Sequence, residues 1–201
     1  MTVLAIDTST SHGSVALIDG SAVLFEEHFT ADRGHGSALV PLLQKAREMV
    51  TALDVITVGL GPGSYAGVRI AIATAMGLSI ALGARLIGIP SVAALEFSGP
   101  RYLAAGDARR DTFYFTKVED GSCTEGPILL DAPGILDRVA ANPAWPVLVP
   151  EPLALLPAAI IAHPRAVTLA RLAAAGRSIV AEDTLEPLYL REPHITHPKP
   201  R

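Results

Sequence analysis

The same pattern of apolar runs and turns occurs twice in this chain, about half a chain apart. In the first copy an apolar run ends at Asp7, and two further β-type runs follow, joined by Asp-Gly at 19–20. In the second copy a similar run ends at Asp107, and its two following runs are joined by Asp-Gly at 120–121. Asp-Gly between β-type runs is a strong hairpin signal. The sequence therefore predicts a β-meander at the start of each half and an internal duplication.

Helix and strand signals alternate after the first meander. Ser37 is a candidate N-cap for a helix that extends to residue 50, with Pro41 in its first turn. The elements predicted after it are strands at 55–60, 86–89 and 147–149 and helices at 64–82, 91–97, 133–141, 153–162 and 166–181. Antiparallel strands followed by alternating helices and strands indicate an α/β fold, with mixed sheets flanked by helices. The polar, proline-rich tail at 193–201 is predicted to be frayed.

A glycine-rich segment, 61–69, connects the predicted strand at 55–60 to the predicted helix at 64–82. This order directs backbone N–H groups and the positive end of the helix dipole at one spot, where α/β proteins commonly hold a phosphate or another anion. A sharp connection between a strand and a helix produces the same pattern. The residues alone leave both interpretations open.

The predicted helix at 64–82 is apolar on all sides. Between residues 68 and 82 its only charged residue is Arg69. A helix that lies on one face of a sheet normally has a polar stripe that faces the solvent. This helix has none, so it should be covered on both sides. Ala73, Gly77 and Ala81 form a line of small residues at intervals of four, which lets another backbone approach closely. Either the second half of this chain or another protein supplies the cover.

The charge of the chain argues against direct binding of nucleic acid. The formal net charge is −4 and only 18% of the residues are charged, so the molecule has no basic field of its own to attract a polyanion. Arg33, Arg109 and Arg110 are the compact basic features near predicted loops, and they are candidates for phosphate contacts only at an assembled surface. Aromatic residues make up only 5% of the chain, which argues against a base-stacking platform.

The sequence also predicts a cellular location. The single Cys123 cannot form an internal disulfide, and neither a basic region nor a long apolar segment precedes Asp7. Charges, glycines and prolines interrupt every run that approaches the roughly 20 apolar residues of a membrane-spanning helix. A cytoplasmic protein without membrane contact is therefore predicted.

Four segments of the chain resemble the TsaB family, also called YeaZ. They are 4–10 (LAIDTST), 61–69 (GPGSYAGVR), 107–110 (DARR) and 189–191 (YLR). The resemblance implies an actin-like, ribonuclease-H-like fold in two duplicated lobes, here 1–98 and 99–192, followed by the tail at 193–201. It also implies a non-catalytic partner of TsaD, the enzyme that transfers a threonylcarbamoyl group to the adenosine beside the anticodon of ANN-reading tRNAs. The ATPase TsaE is recruited to the same complex.

The resemblance places the surface for TsaD on the two helices predicted at 37–50 and 64–82. Without TsaD the chain is expected to form a homodimer through the same surface. In such an isologous dimer each of the two subunits buries this surface against the other. We expect tRNA to be reached only through the complex. The predicted interface residues are Leu39, Leu42, Met49, Val68, Arg69, Ile72, Ala73, Met76, Gly77 and Ile80.

Metal chemistry distinguishes this chain from its catalytic relative. The resemblance places the two metal-binding histidines of TsaD at the positions of Ser91 and Leu95. A leucine cannot bind a metal, and a neutral serine is a poor substitute for imidazole. The histidines of this chain are scattered along the sequence, and His194 and His197 lie in the tail. No metal site and no catalytic residue are therefore predicted.

Nucleotide binding is the other interpretation of the glycine-rich segment. Actin-like folds surround phosphate with the first hairpin loop, usually with glycine close to the aspartate, whereas the loop after Asp7 has glycine only at Gly13. Asp7 is therefore interpreted as a structural residue that binds N–H groups of its own loop. No cofactor is predicted for the chain alone, and ATP or ADP is a candidate ligand only in the assembled complex. The candidate nucleotide or anion ligands are Asp7, Thr8, Ser9, Thr10, Gly61, Gly63 and Ser64.

Two other activities are alternatives from different classes. A glycoprotease-like metallopeptidase needs clustered histidine and carboxylate ligands with a general base, and the sequence has no HExxH-like motif. A small-molecule kinase of the actin-like class needs two loops shaped for phosphate and an acidic residue on magnesium. The loops after Asp7 and Asp107 count against a kinase.

Overall fold

The computed structural model describes residues 1–30 and 35–191. The predictions for Arg33, for His194 and His197 and for the tail at 193–201 therefore lie outside the described residues. Within the described ranges the chain forms two mixed β-sheets with helices packed on them.

The first sheet has six strands in the order β11-β5-β4-β1-β2-β3. They are β1 (Thr2–Asp7), β2 (His12–Asp19), β3 (Ala22–Thr30), β4 (Val55–Gly59), β5 (Arg85–Ile89) and β11 (Ala181–Glu182). The first three strands form the predicted antiparallel meander, and β4 and β5 continue the sheet in parallel beside β1. The predicted strands at 55–60 and 86–89 are thus confirmed to within one residue at their ends.

The second sheet repeats this arrangement. Its strands are β6 (Arg101–Asp107), β7 (Phe113–Glu119), β8 (Ser122–Leu130), β9 (Val147–Val149) and β10 (Ile160–Ile161), in the order β10-β9-β6-β7-β8. The first three are again antiparallel, and β9 and β10 again run parallel to β6. The order and the strand directions match those of β1 to β5, so the predicted duplication is confirmed.

In the described part of the chain, four α-helices cover the sheets. They are α1 (His35–Glu48), α2 (Tyr65–Leu82), α3 (Ala132–Ala140) and α4 (Ala166–Ala174). Alternate residues of β1 point to opposite faces: Leu4 and Ile6 share a core with α1 and α2, whereas Val3 and Ala5 share one with α4. Helix α3 packs on the second sheet through Ile135.

The lobe boundary differs from a simple division of the sequence. The strand that begins the second sheet is Arg101–Asp107, just after the predicted boundary at 98–99. However, α4 packs on the first sheet and β11 pairs with β5, although both belong to the predicted second lobe at 99–192. We therefore define the first lobe as the first sheet with α1, α2 and α4, and the second lobe as the second sheet with α3.

The start of α1 was wrongly predicted. The helix begins at His35, so Ser37 lies in its first turn and is not its N-cap. Pro41 consequently lies inside the helix, beyond the first turn, where the ring removes an N–H donor from the helical ladder. Leu39, Leu43 and Ala46 are all buried, so one face of the helix packs in the core of the first lobe.

Three other helix predictions were wrong in length or type. The predicted helix at 91–97 is a short 3₁₀ helix, Ser91–Ala94, because Leu95 becomes extended and pairs with Pro164. The segment 153–162 forms turns and then β10, since Pro157 would destabilise a helix interior and the chain beyond it pairs with β9. The helix predicted at 166–181 ends at Ala174, and Gly176 follows in the left-handed conformation that commonly terminates helices.

Candidate functional site

The glycine-rich segment forms a tight turn between β4 and α2. Gly61 has a φ of 88°, a conformation that favours glycine. Ser64 is the N-cap of α2, and its hydroxyl accepts a hydrogen bond from Gly67 N at 3.2 Å. The predicted strand, loop and helix therefore occur as expected, with the N-terminus of α2 at the carboxyl end of β4.

Backbone from the first hairpin loop fills the space beside these glycines. Ser64 N donates to Ser9 O at 2.6 Å, and the Thr8 hydroxyl donates to Gly67 O at 2.7 Å. A Cβ on Gly63 would overlap Ser9 O, and a Cβ on Gly67 would overlap Thr8 O. The glycines therefore permit backbone of the same chain to approach α2, which is a structural requirement independent of any bound anion.

Asp7 lies beneath this contact and is fully buried. Its Oδ1 accepts hydrogen bonds from Ser9 N at 2.8 Å and from the Ser9 hydroxyl at 2.7 Å, the local bonding expected of a structural aspartate. Its Oδ2 lies beside Gly59 and the Ser91 hydroxyl and forms no hydrogen bond within the described residues. Burial raises the pKa of Asp7, and the hydroxyls of Ser91 and Ser9 lower it by less.

This buried carboxyl gives a pH-dependent prediction. The folded chain holds the Asp7 proton to higher pH than the unfolded chain, whose carboxyl has a pKa of 3.8. The stability contributed by this group is therefore lost as pH rises through the folded pKa. We expect Asp7→Asn, which carries no charge, to become more stable relative to the wild type as pH rises, by at most about 1.4 kcal/mol per pH unit. Urea unfolding from acidic to neutral pH measures this difference, and a difference independent of pH would contradict it.

A cleft of about 1130 Å³ separates the two lobes. Of the candidate nucleotide or anion ligands, Ser9, Thr10, Gly63 and Ser64 line it, while Asp7 lies below its floor. Thr8 and Gly61 are also buried, outside the cleft lining. The structure thus brings all of the predicted residues together and exposes four of them to the cleft.

The second-lobe wall of the cleft contains the loop after Asp107. Arg109 N donates to Asp107 Oδ1 at 2.7 Å, which repeats the bond between Ser9 and Asp7 in the first lobe. Arg109, Arg110 and Asp111 all have positive φ values, of 66°, 56° and 56°. Such conformations are uncommon for residues other than glycine, and no sequence signal indicated them. The Arg109 side chain is 86% exposed and pairs with Asp107 at 3.6 Å, so its charge is partly offset.

The segment that carries the YLR motif ties the two lobes together. Leu188 N donates to Leu60 O at 2.9 Å, and the ring of Tyr189 lies 6.0 Å from that of Tyr65. The Arg191 guanidinium donates to the Thr112 hydroxyl in the second lobe. This motif is therefore structural in the isolated chain, because it connects the start of α2 to the loop at the cleft.

The outer face of α2 is exposed. One side of the helix packs on the first sheet through Val68, Ala71 and Ile72. The opposite side is open, and Ile80 has 84% of its surface exposed. Ala73, Gly77 and Ala81 are exposed on this side, so the predicted line of small residues is accessible. The alternative that the second half of this chain covers α2 is wrong for this face.

The burial of the predicted interface residues divides them into three groups. Leu39, Val68 and Ile72 are buried in the core of the first lobe, so the structure removes them from the interface. Leu42 and Met76 are half-buried against that core. The remaining five are exposed: Met49, Arg69, Ala73, Gly77 and Ile80. The apolar pattern did not identify two further exposed residues of the same helices, Val40 and Tyr65.

Helix α2 requires one correction to the expectation about membranes. By length and composition alone, Tyr65–Leu82 is apolar enough to cross a membrane. However, its buried side forms part of the core of the first lobe, as the core helices of many globular proteins do. Only one face of the helix is free to contact anything outside the chain.

The positions that correspond to the metal-binding histidines of TsaD have structural contacts. The Ser91 hydroxyl accepts a hydrogen bond from Gly61 N at 3.0 Å, and Leu95 lies in a core between the lobes. In the part of the chain that the structure describes, no three side chains of the metal-ligating types come together. Two histidines that appeared scattered in the sequence do meet, because the rings of His12 and His163 are stacked.

Comparison with known proteins identifies the family. Residues 29–134, which include both α1 and α2, match the family model described as TsaD: tRNA N6-adenosine threonylcarbamoyltransferase. An uncharacterized protein of Mycobacterium tuberculosis is 34% identical over 96% of this chain and 92% of its own length. The tRNA threonylcarbamoyladenosine biosynthesis protein TsaB of Escherichia coli is 32% identical over 59% of this chain and 55% of its own length.

A solved structure, YeaZ from Pseudomonas aeruginosa, superposes with a TM-score of 0.74. It is 28% identical in sequence, and the match covers 94% of this chain and 99% of the other. The chain belongs to the TsaB (YeaZ) family. The α/β actin-like fold predicted from the sequence is confirmed. The aligned region spans only about half the length of the Escherichia coli TsaB, whereas the YeaZ structure is matched along nearly its whole length.

Proposed function

We propose that this TsaB-family chain is the non-catalytic scaffold of the bacterial complex that forms threonylcarbamoyladenosine at the adenosine beside the anticodon of ANN-reading tRNAs. In this proposal it pairs with and activates the catalytic subunit TsaD, and the assembly recruits TsaE. The names of the Escherichia coli and Haemophilus influenzae relatives support the pathway, because both are called tRNA threonylcarbamoyladenosine biosynthesis protein TsaB.

The open face of α2 is the observation that carries the proposal. Ala73, Gly77 and Ala81 leave space for a second helix to approach closely, and Ile80 provides exposed apolar surface at one end. Helix α2 has no acidic residue, and Arg69 is its only charge. A contiguous apolar face of this kind on a folded lobe is typical of a protein interface.

The match to the TsaD model suggests why TsaD fits this face. That model covers residues 29–134, so its members have counterparts of α1 and α2. Two related lobes can therefore pair through the same two helices with near two-fold symmetry, as identical subunits do in an isologous dimer. We propose that the isolated chain forms a homodimer through this surface and that TsaD replaces one copy.

The cleft supports a scaffold more than an independent enzyme. Asp7 forms hydrogen bonds within its own loop, and backbone of the same chain fills the space beside Gly63 and Gly67. Three backbone N–H groups that could otherwise bind a phosphate, those of Ser9, Ser64 and Gly67, are already bonded within the chain. We propose that it needs no cofactor, that ATP or ADP binds only in the assembled complex, that tRNA is contacted only through the complex, and that the protein is cytoplasmic.

A reconstituted reaction tests this function. Purified chain, TsaD, or both are mixed with tRNA and threonylcarbamoyl-adenylate, and modified adenosine is quantified with and without added divalent metal. We expect no transfer by the chain alone and at least about tenfold more product when it is added to TsaD, which corresponds to about 1.4 kcal/mol of lowered barrier. Robust turnover by the chain alone, or no stimulation of TsaD, contradicts the proposal. Peptide hydrolysis or ATP-dependent phosphorylation of small molecules would support the alternative classes.

A further inference from the structure

Two segments that cross between the lobes lie side by side, and we call this pair of segments the hinge. One crosses after the 3₁₀ helix, at 95–100, and the other precedes α4, at 162–165. Glu96 N donates to His163 O at 2.9 Å, and Arg165 N donates to Ala94 O at 2.9 Å. A rotation of the second lobe relative to the first would therefore bend these short paired segments and change the contacts of the segment that carries the YLR motif.

The side chain of His163 connects the hinge to His12, the first residue of β2. Its ring stacks on that of His12, with ring centroids 3.8 Å apart and an angle of 19° between the planes. A metal ion must lie near the plane of each imidazole that binds it, and two nearly parallel planes at this separation offer no common position. The pair is therefore arranged for contact between neutral rings.

The surroundings of the pair favour the neutral state. Nδ1 of His163 is buried without a hydrogen-bond partner in the described residues, so a proton there would have no acceptor. Burial and the neighbouring His12 lower the pKa of His163, whereas Glu96 and Glu151 raise it by less. The Ser11 hydroxyl lies 3.2 Å from Nδ1 of His12.

The charged groups nearby are already paired. Arg165 binds both Glu26 and Glu96, and Glu26 also lies 3.3 Å from Nε2 of His28. Glu96 is thus shared with a guanidinium and can offset only part of the charge on a protonated His163. Glu151 lines the cleft, close to the second lobe's end of the hinge.

We propose that the His12–His163 stack is an acid-sensitive latch that holds the interlobe cleft closed while both rings are neutral. Protonation of His163 leaves its buried Nδ1 proton without an acceptor while the stack is intact. Separation of the rings lets that proton reach water, which favours a more open arrangement of the lobes. The closed form binds fewer protons than a form in which the rings separate, so a falling pH shifts the population toward opening. The cleft is the part that responds, since residues of both lobes, Thr10 and Glu151 among them, line it.

Distances between spin labels on the two lobes test the latch. The labels are placed on cysteines at exposed Ser21 and Ala154 in a Cys123→Ser background, and distances are measured from about pH 8 to about pH 5, the range in which histidine titrates. We expect the distribution to move to longer distances at acidic pH in the otherwise wild-type chain. The shift should be lost in the His12→Phe, His163→Phe double variant, which keeps a ring stack without charge. His28→Asn is the matched control, and it should retain the shift.

Proton NMR titration of the unlabelled wild-type chain gives a second readout. We expect the His163 imidazole to titrate below the ordinary pKa of a histidine, because it is buried against another imidazole. An unchanged label distance across the pH range overturns the latch. So does a shift that persists in the double phenylalanine variant, or a His163 that titrates at the ordinary pKa of a histidine.

Discussion

We expect Gly77→Arg to abolish co-purification with TsaD and to leave the fold of the chain intact. Gly77 lies at the centre of the exposed side of α2, and a Cβ there has no neighbour within 4 Å. Arginine is a better helix former than glycine, so the substitution should not destabilise the helix. In the complex it would place a charge without a partner in an apolar contact, which costs about 3 kcal/mol or more and corresponds to over about a hundredfold weaker binding.

The matched control for this substitution is Ala174→Arg. Ala174 is an exposed residue at the end of α4, on the opposite side of the first sheet from α2. Both variants add the same charge to an exposed helix, and only the position differs. Circular dichroism and thermal unfolding establish that each is folded, and affinity capture with tagged TsaD measures binding. Normal capture of the Gly77→Arg chain would remove this face from the interface.

The same variant separates self-association from heterodimer formation. If both assemblies use the exposed side of α2, sedimentation should show that Gly77→Arg is a monomer at concentrations where the wild type is a dimer. Loss of TsaD binding with an unchanged homodimer would mean that the two partners bind different surfaces. Ala73→Arg, one helical turn away, is expected to behave like Gly77→Arg because both side chains lie on the same line.

Elements that a local sequence signal specifies were predicted correctly, whereas elements that depend on contacts between distant residues were not. The meanders were predicted because Asp-Gly turns determine the neighbouring strand pairing, and α2 was predicted because a long apolar run follows the glycine-rich segment. In the structure Ser64 caps the start of α2 and Gly83 follows its end. The two-residue strand Ile160–Ile161 had no such signal, since it exists only through its pairing with β9. The attachment of α4 to the first lobe likewise depends on packing between distant residues.

The candidate interface was predicted as a surface more accurately than as a set of residues. Helix α2 is apolar on both sides, so its sequence does not distinguish the side that packs on the sheet from the open side. Val68 and Ile72 were therefore placed in the interface together with Ala73 and Gly77, although burial separates them. The contact between His12 and His163 could not be predicted, because the two residues are distant in the sequence.

A second large effect is expected from alanine at another glycine of the same helix. Gly67→Ala should destabilise the chain by about 3 kcal/mol, the upper part of the range for forced overpacking. A Cβ at this position overlaps the backbone oxygen of Thr8, and the Thr8 hydroxyl binds Gly67 O. Backbone on both sides of the contact cannot move aside as a flexible side chain can. Relief therefore requires the first hairpin loop to separate from α2.

Gly77→Ala is the matched control, because it makes the same chemical change in the same helix. It adds a methyl group in open space, so we expect a gain of about 0.5–1 kcal/mol from the higher helix propensity of alanine. Urea unfolding of both variants measures the two differences. If Gly67→Ala were stabilising as well, close packing of the loop could not explain this glycine, and an anion bound at the start of α2 would become the better explanation. Opposite signs would show that the glycine-rich turn is needed to hold the loop against α2.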